Sequence, residues 1–151
     1  MDIKIGELAS RTDCQTVTIR YYEKEGLLPK PMRSSGNYRL YSEAHIERLN
    51  FIRHCRSLGM MLVEVRALLR FRDTPNQDCS QINALLDEHI QQVETRVEEL
   101  SQLKSNLIAL REKCVGAQTI ESCGILQGLS HDSNLIDFKD ALALQGLGCS
   151  S

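Results

Sequence analysis

The sequence has no apolar run approaching the roughly 20 residues that a membrane span requires. Its opening residues also lack the apolar block of a secretory signal. We therefore expect a protein of the cytoplasm with no membrane partner. Because thiols stay reduced in that compartment, the six cysteines are expected to be free thiols or metal ligands rather than disulfides.

Signatures of catalysis are scarce as well. The chain contains no Gly-rich phosphate-binding loop and no nucleophile elbow. The sequence also places no histidine and acidic residue as partners of a cysteine, as a catalytic thiol would need. We expect no enzymatic activity. A chain of 151 residues suits one compact domain, or a small domain that carries an extended element.

The net charge is small, −2 in total, but it is unevenly distributed. Residues 1–72 hold 13 Lys and Arg against 8 Asp and Glu, whereas residues 73–151 hold 5 against 12. A basic half joined to an acidic half is typical of a DNA-binding domain fused to a sensing or oligomerisation part. A chance asymmetry in a helical protein is the alternative at this point.

The basic half begins with two short predicted helices, separated by a turn at residues 9–13. The second helix covers residues 15–25. Thr16, Arg20 and Lys24 share one of its exposed faces, and Tyr21 lies beside them. A short basic helix of this kind is typical of those that enter the major groove of DNA.

A small wing and two more helices complete this half. Residues 34–37 have turn chemistry and residues 38–41 alternate like a strand, which predicts a two-stranded wing. Ser42 caps a third helix that closes at Gly59, and a fourth helix covers residues 62–72. A polar break follows.

A single long helix comes next. Neither Gly nor Pro occurs between Ser80 and Lys113, and Asp78 with Gln81 resembles a capping box at the start. Apolar residues recur at spacings of mostly three and four, which is the seam of a coiled coil. A lone helix of this length cannot bury such a stripe, so we expect a homodimer. The stripe consists of Ile82, Leu86, Ile90, Val93, Val97, Leu100, Leu103, Leu107 and Leu110.

Three cysteines bracket this helix. Cys79 precedes it, Cys114 follows it, and eight residues separate Cys114 from Cys123, enough for a loop to bring the two sulfurs together. A helix that rises about 1.5 Å per residue would hold Cys79 and Cys114 of one chain roughly 50 Å apart. Antiparallel pairing would instead place Cys79 of one protomer near Cys114 and Cys123 of the other, forming two three-thiolate metal sites. The alternative is that each cysteine is a small buried hydrophobe.

The other potential ligands are interpreted differently. Cys55 lies on the apolar stripe of the third helix and is expected in the core, and Cys14 is expected to be structural. Cys149 lies in the tail, as an optional fourth ligand or with no role. His131 is close enough to the loop to be a candidate ligand.

The predicted organisation is residues 1–72 as a DNA-binding domain, 73–79 as a linker, 80–113 as the dimerisation helix, 114–130 as the metal-binding loop with a short helix, and 131–151 as a flexible tail.

These motifs resemble the MerR family of bacterial transcriptional regulators, and the resemblance covers almost the whole chain. Within the family the chain looks closest to the lead- and cadmium-responsive members, through residues 78–79 (DC), 85–90 (LLDEHI) and 123–130 (CGILQGLS). The family resemblance itself lies in residues 5–9 (IGELA), 18–23 (TIRYYE), 26–29 (GLLP), 38–41 (YRLY) and 53–59 (RHCRSLG).

The resemblance implies a mainly α fold: a winged helix-turn-helix DNA-binding domain, a long antiparallel coiled-coil dimerisation helix and a C-terminal metal-binding loop. It also implies a homodimer on a palindromic operator in double-stranded promoter DNA, which it distorts when metal binds so that RNA polymerase can use the promoter. Most of the implied DNA contacts would be to phosphate. By position they are Thr16, Thr18, Arg20, Tyr21, Tyr38, Arg39, Arg53 and Arg56.

The resemblance also narrows the metal. Members that sense monovalent copper, silver or gold usually have Ser at the position of Cys79, so a divalent ion is expected. Zinc sensors tend to carry a second cysteine directly after the first loop cysteine, whereas Val115 follows Cys114 here. Three thiolates suit Pb(II), Cd(II) or Hg(II), and the closest members favour Pb(II). The alternatives are a zinc- or mercury-selective regulator, or one that responds to a non-metal ligand.

Overall fold

The computed structural model describes residues 1–116 and 119–131, so Cys149 and the predicted tail after His131 lie outside the described residues. The fold is mainly helical, as predicted. In the described part of the chain no helix is long and apolar enough to cross a membrane. The elements are α1 (Ile5–Thr12), α2 (Thr16–Lys24), β1 (Met32–Arg33), β2 (Arg39–Leu40), α3 (Glu43–Ser57), α4 (Leu62–Arg72), α5 (Ser80–Glu112), a 3₁₀ turn (Ile120–Ser122) and α6 (Gly124–His131).

The chain divides into two compact units, an N-terminal unit (Met1–Leu86) and a C-terminal unit that begins at Asp87. The N-terminal unit has a continuous apolar core in which Leu8 of α1, Ile19 of α2 and Ile52 of α3 are fully buried. Cys55 belongs to this core and Cys14 packs against it, as the sequence indicated. Helices α1 to α4 therefore form one packed domain.

The turn between α1 and α2 is shorter than the sequence suggested. The predicted turn at residues 9–13 was wrong, because α1 continues to Thr12, whose buried hydroxyl donates a hydrogen bond to the Leu8 carbonyl. Asp13 then adopts a left-handed conformation with a φ of 49°, which ends the helix. The N-cap of α2 is Gln15, a polar residue two positions after Asp13.

The predicted wing is present. Strands β1 and β2 are antiparallel, with Arg33 opposite Arg39. The turn between them closes through a hydrogen bond from the Asn37 N–H to the Ser34 carbonyl, and Asn37 takes a φ of 64°. Asparagine tolerates this left-handed conformation well, so the residue suits the turn.

The long helix α5 has 33 residues and ends one residue before the predicted end. Its start differs from the predicted capping box: the Ser80 N–H donates to the Asp78 carboxylate at 2.8 Å. No residue of α5 is buried within the single chain. The apolar stripe is therefore exposed to solvent. The exposed fractions are 52% for Ile90, 62% for Val97 and 60% for Leu100.

Candidate DNA-binding surface and metal centre

A basic groove lies between the second helix and the wing. Only one acidic residue, Glu23, contributes to its lining, against five Lys and Arg. Such a concentration of positive charge beside a helix-turn-helix provides a binding surface for a phosphate backbone. The groove is lined by Arg20, Glu23, Lys24, Lys30, Pro31, Arg33 and Arg39.

Glu23 joins α2 to the wing inside this groove. Its carboxylate accepts a hydrogen bond from the Tyr41 hydroxyl and lies 3.5 Å from Nε of Arg39. Burial of Tyr41, and next its hydrogen bond to Glu23, raise the pKa of the phenol. Tyr41 is fully buried, and its backbone pairs with that of Ile3. These bonds fix the position of α2, the candidate recognition helix, relative to the wing.

Several of the predicted DNA contacts lie on or beside this groove. Arg20 and Arg39 line it. Tyr21 and Tyr38 present 47% and 65% of their surface to solvent, and Lys4 places its Nζ 5.6 Å from the centre of the Tyr38 ring. Thr16 and Thr18, also on α2, are half-buried.

The other two predicted contacts, Arg53 and Arg56, bind within the domain. Arg53 donates to the Thr12 carbonyl at 3.0 Å and to the Asp13 carboxylate at 2.8 Å. Arg56 donates to the Met60 carbonyl at 2.7 Å, which satisfies a backbone acceptor just after α3. Arg53 thus ties α3 to the helix-turn-helix while remaining half-exposed.

Sequence reasoning placed Lys24 on the same face of the second helix as Arg20, but it missed two of the basic residues that line the groove, Lys30 and Arg33. The available signal was the return of Lys and Arg immediately after the recognition helix, where the chain passes from α2 into β1. Because this connection has no regular period, the pattern gave no face on which to place the side chains.

The C-terminal unit brings two thiols together. The side chain of Cys114 lies close enough to Cys123 to act on its thiol, and both cysteines are half-buried. Cys123 directly precedes α6, and the backbone N–H groups of Leu126 and Ile125 point at its sulfur. These two N–H groups, Leu126 first, and then the Cys114 thiol lower the pKa of Cys123. The arrangement favours the thiolate, which is the form that binds metal.

Cys79 occupies the N-cap of α5, where its carbonyl accepts a hydrogen bond of 2.9 Å from the Asn83 N–H. The residue is exposed. Within the described residues of the single chain, no three His, Cys, Asp or Glu side chains are grouped for metal binding. His131 ends α6 and is exposed.

Cys14 and Cys55 differ from the thiol pair in their surroundings. Burial raises the pKa of each thiol, with nearby Arg53 opposing the shift at Cys14. Burial thus disfavours the thiolate at both positions. This supports their structural role.

Comparison with known proteins identifies one family for the N-terminal domain and for most of the long helix. Residues 3–72 match the model of the MerR HTH family of regulatory proteins, and residues 46–110 match the model described as MerR, DNA binding. The HTH-type transcriptional regulator ZntR homolog of Haemophilus influenzae is 49% identical over 113 residues, which are 75% of this chain and 84% of that protein. The HTH-type transcriptional regulator ZntR of Escherichia coli is 38% identical over 87% of this chain and 94% of its own length.

A solved structure is similarly close. The transcription regulator PbrR691 from Ralstonia metallidurans, crystallised in complex with lead(II), is 51% identical with a TM-score of 0.77, covering 84% of this chain and 98% of that one. The relatives are transcriptional regulators, and this chain is likewise a regulator rather than an enzyme. The winged helix-turn-helix, the long helix and these matches lead to one conclusion: the chain belongs to the MerR family of HTH regulatory proteins.

Proposed function

We propose that this chain is a cytoplasmic, homodimeric transcriptional regulator that binds promoter DNA and responds to Pb(II) or a similar thiophilic divalent ion. The observation that carries the proposal is the contact between Cys114 and Cys123 at the N-terminus of α6. Two adjacent thiols, one of them favoured as thiolate, form the beginning of a soft metal site.

Completion of the site requires a second copy of the chain. Helix α5 begins directly after Cys79 and ends shortly before Cys114, and its apolar stripe is exposed. Two such helices bury their stripes by antiparallel pairing. In that pairing the partner's Cys79 adds a third thiolate to Cys114 and Cys123. A bound ion would then link the two protomers at each end of the paired helices.

The donor set favours soft ions. Three thiolates suit Pb(II), Cd(II) and Hg(II) better than ions that prefer oxygen ligands. The lead(II) complex of PbrR691 supports Pb(II) as the first choice. The mercury(II) complex of the Bacillus megaterium regulator MerR, 28% identical to this chain, keeps Hg(II) among the candidates. Zn(II) is the less favoured alternative, since Val115 rather than a second cysteine follows Cys114 and no histidine lies between Cys114 and Cys123.

The DNA-binding part of the proposal rests on the basic groove. Arg20 and Arg39 on its lining, with Tyr21 and Tyr38 beside it, would contact the phosphate backbone and set the register of the protein. A homodimer presents two such surfaces and matches a palindromic operator. We further propose that metal occupancy alters the DNA geometry, so that RNA polymerase can use the promoter.

Subunit mixing tests the shared site. Cys79→Ser and Cys114→Ser proteins are each expected to bind Pb(II) at least about 100-fold more weakly than the wild type, because each loses a thiolate from every site. A mixed dimer of the two variants has one site with all three thiolates and one with a single thiolate. Mixing the two proteins should therefore restore absorption from thiolate to Pb(II), with up to one tight ion per mixed dimer.

The controls are the Cys79→Ser protein mixed with itself and the operator affinity of each metal-free variant, which should stay within about twofold of the wild type. Unchanged Pb(II) binding in Cys79→Ser, or a mixture that gains nothing over its separate components, would contradict a site shared between protomers.

A further inference from the structure

A close backbone contact lies next to the thiol pair. Gly124 is the first residue of α6, and a methyl group on its Cα would lie 2.3 Å from the carbonyl oxygen of Lys113 and 3.2 Å from the carbonyl carbon. Ordinary van der Waals contact of a Cβ with another heavy atom begins at 3.4 Å, so a side chain at this position requires a shift of roughly 1 Å away from the oxygen. Because the obstructing oxygen belongs to the backbone, no rotamer change removes the clash.

The contact joins the sequence neighbours of the two thiols. Lys113 directly precedes Cys114, and Gly124 directly follows Cys123. The approach of Gly124 to the Lys113 carbonyl therefore sets how closely the two cysteine side chains meet. In this arrangement the Cys114 side chain is near enough to act on the Cys123 thiol. Metal sites tolerate deviations of only about 0.2 Å in ligand distances, so a shift of roughly 1 Å matters.

We propose that Gly124 is a positioning residue of the metal site, which holds the sulfurs of Cys114 and Cys123 within reach of one ion by letting α6 approach the Lys113 carbonyl. This inference rests on the proposed metal-dependent function. It adds a residue that donates nothing to the metal. Its effect is on geometry alone, because glycine is the only residue without a Cβ at the point of contact.

Gly128 provides a matched control four residues further along α6. A methyl group there would lie 3.0 Å from Nζ and 3.2 Å from Cδ of Lys113, and 3.5 Å from Cδ1 of Leu110. These atoms are at the far ends of flexible side chains, which can move. Neither Gly124 nor Gly128 has a left-handed φ, so alanine suits the backbone at both positions and favours the helix at both.

The test compares Gly124→Ala with Gly128→Ala in the full-length, reduced protein. The first measurement is Cd(II) affinity, from competition with a chromophoric chelator. The second needs no metal: diamide oxidises the protein, and peptide mass spectrometry follows the rate at which the Cys114–Cys123 disulfide forms. Circular dichroism and metal-free operator affinity show that each variant is folded.

We expect Gly124→Ala to weaken Cd(II) binding by about 10- to 100-fold and to slow disulfide formation by roughly tenfold or more. Gly128→Ala should stay within about twofold of the wild type in both measurements. Wild-type behaviour of Gly124→Ala, or equal losses in both variants, would overturn the inference. If Cys114→Ser leaves wild-type Cd(II) affinity unchanged, the proposed function fails instead, and the disulfide rates still decide whether Gly124 sets the sulfur spacing.

Discussion

The two units of the molecule differ in how they bury apolar surface. The described N-terminal unit contains all thirteen buried hydrophobic residues of the described chain, from Ile3 to Leu69. Helices α5 and α6 contain none. The first unit therefore draws its stability from its own core, whereas α5 can bury its stripe only against another molecule. DNA recognition is built on the self-sufficient unit, and the proposed metal response is built on the unit that depends on assembly.

The largest expected effect follows from placing a charge in the stripe. Leu100→Asp removes two leucines from the dimer, each worth roughly 1.5–3 kcal/mol when buried, and places two carboxylates there. The dissociation constant of the dimer should therefore rise by more than about 100-fold. Sedimentation over a range of concentrations measures this. Gln102→Asp adds the same charge off the stripe and should leave the dimer nearly intact; equal effects would mean that α5 does not pair through this stripe.

A core substitution sharpens the contrast between the units. Leu49 is 2% exposed, and Leu49→Ala should lower the free energy of unfolding by about 2–5 kcal/mol through loss of burial and a residual cavity. Its unfolding midpoint should depend on concentration no more than that of the wild type. Leu100→Ala, by contrast, should make the midpoint depend more steeply on protein concentration. Calorimetry at several concentrations distinguishes the two, and a steeper dependence for Leu49→Ala would remove the distinction.

A smaller effect is expected from a single charge of the basic groove. Lys30→Gln should weaken operator binding by roughly tenfold or less and reduce the slope of log affinity against log salt by about 0.9, the value of one phosphate contact. The matched control is Lys104→Gln, which removes the same charge from a residue of α5 that does not belong to the groove lining. Fluorescence anisotropy at a series of salt concentrations provides both slopes. An unchanged slope for Lys30→Gln would place that lysine outside the DNA contact.

The smallest effect concerns the junction after α4. Arg48 makes a bidentate ion pair with Asp73, at 2.9 and 3.1 Å, and donates to the Leu27 carbonyl at 2.6 Å. The hydrogen bonds from Arg48 lower the pKa of Asp73 from its ordinary 3.8. The stability that the pair adds is therefore fully present above pH 3.8 and is lost as the pH falls through the lowered pKa.

Because half of the Asp73 side chain is exposed, the pair should contribute less than about 1 kcal/mol. Asp73→Asn should abolish this part of the acid dependence, and a double-mutant cycle with Arg48→Met isolates the coupling. Denaturant unfolding provides the four free energies of the cycle at pH 6 and again at pH 3. A coupling energy that is the same at both pH values would show that the ion pair is not its source.

The sequence predicted the regular elements because their periods are strong. The stripe of α5 and the boundaries of α4 need only the spacing of apolar residues, and the wing turn is marked by Ser, Gly and Asn. The end of α1 was misplaced, since a left-handed Asp13 and a buried Thr12 hydroxyl leave no periodic signal.

The functional surfaces were only partly predictable for a different reason. Arg53 and Arg56 bind carbonyl oxygens of their own domain, which only the packed structure reveals, and their contact with DNA stays a prediction. The role proposed for Gly124 was equally hidden, because the Lys113 carbonyl that restricts this position lies eleven residues away along the chain.

The exposed stripe on α5 has a consequence for the lifetime of the regulator in the cell. In a protomer that has not yet dimerised, Ile90, Val97 and Leu100 are exposed to solvent. Chaperones and proteases recognise exposed apolar surface of this kind. Newly made chains at low abundance would be degraded faster than assembled ones. The amount of regulator would then rise more steeply than its rate of synthesis, and assembly would set a minimum expression level below which the promoter is left without its protein.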